Sequence, residues 1–323
     1  MTDGTTAVTK NPQPEVVLYG ALRSGTTVLR LMLRENEQIN CPGEADFLFD
    51  YMTAQKDDGP ELDFNRLFRE RVFKIVIPEY ATIPKNKEAM NAMVTSLTNR
   101  PHRVGAKTVL IHHRSLPQLL KQFPDAKIIH VIRDPRDVAR SSVGMGWAGS
   151  TYYGINHWEK TESDWAKYGR DLPAERVMTV RYEELIVEPE LWLHRMCDFI
   201  GVPYQDAMLE YDQTTTYKKP DPSLIFQWKH KQTPMEIGLV EGRVGPLMAE
   251  LGYEPSGQDP VIPGVVMRAR LALQQKTATW RRRIQDFGLI DSVLLATARR
   301  TGWHFIARGA EDRIELKIRR MIQ

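Results

Sequence analysis

The chain has 323 residues, 42% hydrophobic and 26% charged, with 21 Gly and 20 Pro, proportions that exclude a disordered, collagenous or disulfide-scaffold protein. Two cysteines, Cys41 and Cys197, allow one bridge at most, so a reducing, cytoplasmic setting is expected. The net charge of +3 is unevenly spread: from Ser256 onward 13 Lys/Arg face 6 Asp/Glu, which leaves the rest weakly acidic and argues against a nucleic-acid binder built around the core.

Residues 1–14 are polar, carry Pro12 and Pro14 and lack the apolar stretch of a signal peptide, so they read as a flexible tail. Strand-like and helix-like segments then alternate as far as Glu254, the pattern of an α/β fold whose parallel sheet is flanked by helices. Strands are expected at 16–19, 103–109, 127–132 and 177–182, and helices at 26–37, 45–54, 115–123, 136–144, 155–169, 189–200 and 234–251. Pro135, Pro173 and Pro203 stand at boundaries where the ring disfavours continuing a helix. The sequence loosens over 255–263, and a basic helical extension follows with Arg268, Arg270, Arg281, Arg282, Arg283, Arg299 and Arg300. The expected division is therefore a tail at 1–14, a domain at 15–255 and the extension at 256–323. No run reaches the ~18 apolar residues of a membrane span.

The sharpest local signal is VVLYGALRSGTTVLRLML at 16–33. A short apolar strand enters a loop bounded by Gly20 and Gly25, and a helix opens near Thr26. Backbone N–H groups and a helix N-terminus thus surround one small volume, which suits a cluster of anionic oxygens. Thr26 and Thr27 add hydroxyl donors where the first helical turn leaves its amides unpaired. The nucleoside-triphosphate loop G-x-x-x-x-G-K-[ST] has the same glycine spacing, but its Lys position is Thr26 here, and a cation, Arg23, sits inside the loop instead. The loop reads as built for a phosphate ester without a triphosphate tail, and against a nucleotide kinase.

A second anion site is expected in KIIHVIRDPRDVARSSV at 127–143. An apolar strand ends in Arg133, Asp134 and Pro135 turn the chain, and a helix begins. Ser141 lies about two helical turns on, so a guanidinium and a hydroxyl converge on one group, suited to a phosphate monoester. The same run also reads as an Arg–Asp capped helix start.

Together these motifs resemble those of the sulfotransferases that use 3′-phosphoadenosine 5′-phosphosulfate (PAPS). Arg23-Ser24-Gly25-Thr26-Thr27 is similar to their 5′-phosphosulfate loop, and Arg133-Asp134-Pro135-Arg136-Asp137-Val138 with Ser141 to their 3′-phosphate motif. Val180-Arg181-Tyr182-Glu183-Glu184-Leu185 resembles a downstream strand and loop, and Trp228-Lys229 through Leu251-Gly252-Tyr253 the closing segment. The resemblance covers roughly residues 15–254. It implies a P-loop-like α/β fold with PAPS across the carboxyl edge of the sheet, adenosine 3′,5′-bisphosphate (PAP) as product, and no required metal.

The resemblance also implies the roles. Arg23 stabilises the departing phosphate, and Lys107 is similar to a second family cation at the same centre. The aryl and steroid enzymes place a His two residues beyond that Lys, where this chain has Val109. Glu44, in Cys41-Pro42-Gly43-Glu44, follows the first helix much as the catalytic Glu of tyrosylprotein-type enzymes does, and is the expected general base; His112 and His113 are the competitors. Tyr182 and Trp228 either meet the nucleotide or pack the fold, and Lys229 is a further candidate for the 3′-phosphate. The acceptor is expected to be a hydroxyl on a small molecule, lipid or carbohydrate, its apolar surface met by aromatic residues of 45–54 and 145–158 if these border Glu44. The basic extension either packs on the acidic body or makes peripheral membrane contact. The other readings are a P-loop nucleotide kinase and a non-catalytic nucleotide-binding module.

Overall fold

The computed structural model describes residues 13–56, 59–98, 106–301, 309–310 and 313–314; most of the expected tail lies outside them. Strands β1 (Val16–Gly20), β2 (Ile39–Asn40), β5 (Lys107–His112), β6 (Lys127–Ile132) and β7 (Val177–Arg181) form a sheet in the order β2-β5-β1-β6-β7. Every pairing in it is parallel. A separate antiparallel hairpin joins β3 (Met52–Lys56) to β4 (Gly59–Leu62).

Alternation along the strands covers both faces of the sheet, as a parallel sheet requires. Val17, Tyr19, Leu110 and Ile128 enter one cluster with Phe47, Phe73, Met93 and Trp165. Val16, Leu18, Val109, Ile129, Val131 and Val180 enter the other with Leu29, Leu193 and Met196. Cys41 and Cys197 are buried free thiols.

Two expectations need correction. Of the strand expected at 103–109, residues 103–105 lie outside the described residues; β5 runs from Lys107 to His112, beyond the expected end, because Lys107 and Thr108 pair with Ile39 and Asn40 and carry the apolar run VLI across the sheet. The helix expected at 45–54 is only the turn Phe47–Asp50, after which the chain enters β3. Phe47, Leu48 and Phe49 are core residues, 5% exposed or less.

The chain divides into two compact units: 1–133 with 157–226, and 134–156 with 227–323. The described residues after 255 fall in the second unit, with 134–156 and 227–255. The first unit holds the sheet. The second holds helices Pro135–Gly144, Pro234–Glu250, Val265–Phe287 and Leu289–Thr301. Helix Pro135–Gly144 starts where the sequence makes it start: Asp134 accepts from the Arg136 N–H and Pro135 takes the first helical position. Helix Pro234–Glu250 opens on a capping box between Thr233 and Glu236. Among the described residues no helix is long and apolar enough to cross a membrane.

Candidate active site

The loop between β1 and helix Thr26–Arg34 is held in a shape few residues tolerate. Arg23 has φ 76° and Gly25 φ 95°, both left-handed, and such backbone at a non-glycine residue is characteristic of functional sites. A Cβ on Gly25 would sit 2.2 Å from the Tyr182 ring, so glycine is required by conformation and by space. Ser24 is fully buried, and among the described residues its Oγ has no hydrogen-bond partner. A buried hydroxyl left unsatisfied costs free energy that an incoming acceptor oxygen would recover.

Two guanidinium groups serve this loop. Arg133, just beyond β6, donates from Nη1 to the Arg23 carbonyl at 3.1 Å and from Nη2 to the Leu224 carbonyl at 3.3 Å, and lies 4.2 Å from the centre of the Tyr182 ring. Burial, together with the charge of Arg133, pulls the Arg23 guanidinium below its ordinary pKa, against an opposing pull from Tyr217. An anion received here would offset both costs. Gly25, Arg133 and Tyr182 thus converge, and Tyr182 is a buried packing element of the loop.

Glu44 reaches the same end of the sheet. The Ala45 N–H donates to the Ile111 carbonyl at 2.8 Å and the Ile111 N–H to the Gly43 carbonyl, so Glu44 bridges in parallel to Ile111 near the carboxyl end of β5. Its carboxylate lies with Asp46 and His113 in a cluster whose oxygen and nitrogen atoms fall within 4.8 Å of one another. His113 connects the cluster to the loop, for its Nε2 stands 3.1 Å from Thr26 Oγ1. Two carboxylates and an imidazole are a donor set able to hold a cation, but Asp46 Oδ2 and His113 Nδ1 are already hydrogen-bonded to each other.

Lys107 is not in this constellation. The register places His112 level with Tyr19 near the carboxyl end of β1, and Val109 level with Val16 at its start. Lys107 stands before Val109, five residues or about 16 Å back along the strand, at the opposite edge of the sheet. The cation expected from it at the sulfuryl centre is withdrawn.

His112, a candidate base in the sequence, stands here beside residues that the sequence did not point to: Tyr19, His130, Asp46 and Glu162. His112, Tyr19 and His130 stand side by side on β5, β1 and β6. Asp46 closes one end, with Oδ1 3.0 Å from His112 Nδ1, and Glu162 the other, with Oε2 2.8 Å from His130 Nε2. Burial opposes ionisation of Asp46, yet hydrogen bonds and charge from His112 and His113 outweigh it and hold the carboxyl well below the usual carboxylate range. Burial pushes the Tyr19 phenol up, and it donates to the Thr161 carbonyl. Asp46 and Glu162 are 67 and 32 residues from His113 and His130, and no local spacing reveals such pairs.

In the second unit, Asp134 takes two hydrogen bonds from the Arg136 guanidinium, at 2.9 and 2.7 Å, and Arg136 reaches Glu241 at 2.7 Å. Trp228 donates from its indole to Asp134 at 3.0 Å and lies under the Arg136 guanidinium, 3.6 Å from ring centre to Cζ. The Asp137 carboxylate accepts from the Trp228 N–H. The motif expected to grip a phosphate thus commits Asp134, Arg136 and Asp137 to a buried scaffold that includes Trp228. Ser141 is half-buried on helix Pro135–Gly144, and Lys229 is exposed.

A family model described as the sulfotransferase family matches residues 14–206. Protein-tyrosine sulfotransferase 1 of Danio rerio is 25% identical over 275 residues, covering 76% of this chain and 74% of its own length. The protein-tyrosine sulfotransferase of Drosophila melanogaster is 21% identical over 76% of this chain and 53% of its own length, so the chain spans about half of that relative. Among solved structures, the sulfotransferase domain of the Synechococcus PCC 7002 olefin synthase superposes with a TM-score of 0.59 at 21% identity, over 77% of this chain and 98% of that domain, which shows a shared fold. With its parallel sheet and its loop of buried hydroxyl and left-handed backbone, this chain belongs to the family of PAPS-dependent sulfotransferases.

Proposed function

We propose that the protein transfers the sulfuryl group of PAPS to a hydroxyl acceptor, with Glu44 as general base and Arg23 as the cation at the departing phosphate. One observation carries the reading: Glu44 is fixed beside the carboxyl end of β5, in a cluster that touches the Arg23–Thr27 loop through His113 and Thr26. The fit to an anionic donor is supported by the unsatisfied Ser24 hydroxyl and by the lowered pKa of Arg23 beside Arg133.

PAPS supplies an activated sulfur whose bond to a phosphate oxygen is broken in the transfer. Glu44 takes the proton of the acceptor hydroxyl as that oxygen bonds to sulfur. Arg23 neutralises the charge that gathers on the phosphate oxygen, an electrostatic contribution strengthened by its burial. Backbone amides of the loop, with Ser24, Thr26 and Thr27, orient the 5′-phosphosulfate. Arg133 and Ser141 are assigned to the 3′-phosphate, and Tyr182, Trp228 and Lys229 to lesser nucleotide contacts, on the strength of the motif resemblance. For Trp228 the burial against Arg136 favours a packing role.

The acceptor class covers hydroxyls of small molecules, lipids and carbohydrates. The names of the Danio and Drosophila relatives add the tyrosyl hydroxyl of a protein. The test is a screen with sulfur-labelled PAPS across phenols, sterols, sugars, glycolipids and tyrosyl peptides, repeated with Glu44→Ala and Arg23→Ala. Label transferred by the parent chain, and lost from both variants while PAP still binds, is expected. Transfer undiminished in Glu44→Ala overturns the assignment of the base.

A further inference from the structure

Helix Val265–Phe287 carries an apolar ridge on the side turned away from its own unit. At 100° per residue, Val266, Ala269, Leu273 and Trp280 fall on one face, continued by Ile284 and Phe287. Val266 is 76% exposed, Leu273 64% and Trp280 37%. The opposite face makes the contacts. Leu271 is buried, Gln275 accepts from the Gly149 N–H at 2.6 Å, and the Arg282 stem lies where a Cβ on Gly146 would fall.

Cations border the ridge on both sides, Arg270 and Arg281 along one flank and Lys276 and Arg283 along the other. The one carboxylate of the helix, Asp286, is paired with Arg282 at 2.9 Å on the inward side. The outer surface is thus apolar along its crest and positive along both shoulders. Leu289, Ile290 and Val293, at the start of the next helix, are exposed as well.

We infer that this ridge is a docking surface for an anionic lipid bilayer, lying in the plane of the interface. A crest of Val, Leu and Trp suits the boundary between headgroups and acyl chains, and Arg and Lys stems extend their charges up to lipid phosphates. A second copy of the helix is a poor occupant. Both shoulders are cationic, so pairing in either direction sets arginine and lysine against one another.

The test uses the full chain and sedimentation with vesicles of phosphatidylcholine alone or with roughly 30% phosphatidylserine. Binding to the anionic vesicles only is expected, lost in about 1 M salt. Leu273→Ser with Trp280→Ser, and separately Arg270→Gln with Arg281→Gln, should each weaken it at least about tenfold. Affinity for PAP, unchanged in these variants, reports that the chain remains folded, and the arginine pair stands on its own should the apolar pair fail to fold. Equal binding to both vesicle types or to neither, retention of lipid binding in folded arginine variants, or a concentration-dependent dimer dissolved by Leu273→Ser each overturn the inference. So does binding to duplex DNA without binding to vesicles.

Discussion

Asp46 grips His113 at two points: Oδ1 accepts from the His113 backbone N–H at 2.8 Å, and Oδ2 from the ring Nδ1 at 3.1 Å. On the other side of the ring, Nε2 stands 3.1 Å from the Thr26 hydroxyl. A carboxylate at the end of one loop thus sets the position of a side chain in the phosphate loop.

Asp46→Asn removes the charge but leaves one acceptor. It should cost about 1.5–3 kcal/mol at neutral pH, the range for losing a hydrogen bond to a charged group, measured by urea unfolding. The pH dependence has a fixed sign. The folded-state pKa of Asp46 is depressed, so its contribution is complete above the unfolded carboxyl value of about 3.9 and is lost as pH falls through the lower folded value. Stability of the parent should fall more steeply on acidification below about pH 4 than that of the variant. Parallel curves would remove Asp46 as the source.

Two arginines three residues apart should behave in opposite ways. Arg136, 2% exposed, is tied to Asp134 and Glu241. Arg136→Ala strands two buried carboxylates and should destabilise the fold by about 3–5 kcal/mol. Arg133 instead donates to the carbonyls of Arg23 and Leu224. Arg133→Ala should keep most of the stability while weakening PAP binding by about tenfold to a hundredfold, the worth of a charge-assisted hydrogen bond. Calorimetry with unchanged affinity for Arg133→Ala would remove the assignment.

Gly25→Ala tests the loop itself. The added methyl meets both a φ of 95° and the Tyr182 ring, so the loop must shift or the ring must leave the Arg133 guanidinium. A loss of PAP binding beyond about tenfold is expected, with stability reduced by about 1–3 kcal/mol. The double variant Gly25→Ala with Tyr182→Leu should regain part of the stability but not the binding, since the conformational cost at residue 25 persists.

How much of this was legible beforehand depended on the range of each interaction. β6 and helix Pro189–Ile200 lie where the apolar runs and prolines place them, because short strands and capped helices announce themselves locally. The run 45–54 misled, since ADFLFDYMTA is apolar at helical and strand spacing alike, and the pairing of Met52–Lys56 with Gly59–Leu62 decided it. Glu44 and the Arg23 loop were visible as motifs. The buried row of His112, Tyr19 and His130 was not, because it exists only once three strands are in register.

Lys107 shows what register does to a functional assignment. A lysine after a strand-like RVGA points to the active edge only if the strand ends there, whereas here β5 begins at Lys107, whose N–H donates to the Gln38 carbonyl. The side chains delivered to the active edge come five and six residues later, from His112 and His113. Lys107→Ala should therefore leave turnover within about twofold of the parent, whereas Glu44→Gln should lower it about a hundredfold or more, the usual worth of a positioned general base. Steady-state transfer at saturating PAPS reads both. A loss in Lys107→Ala comparable to that in Glu44→Gln, with PAP affinity and melting temperature unchanged, would return the lysine to the chemistry and refute the register derived from Tyr19 and His112.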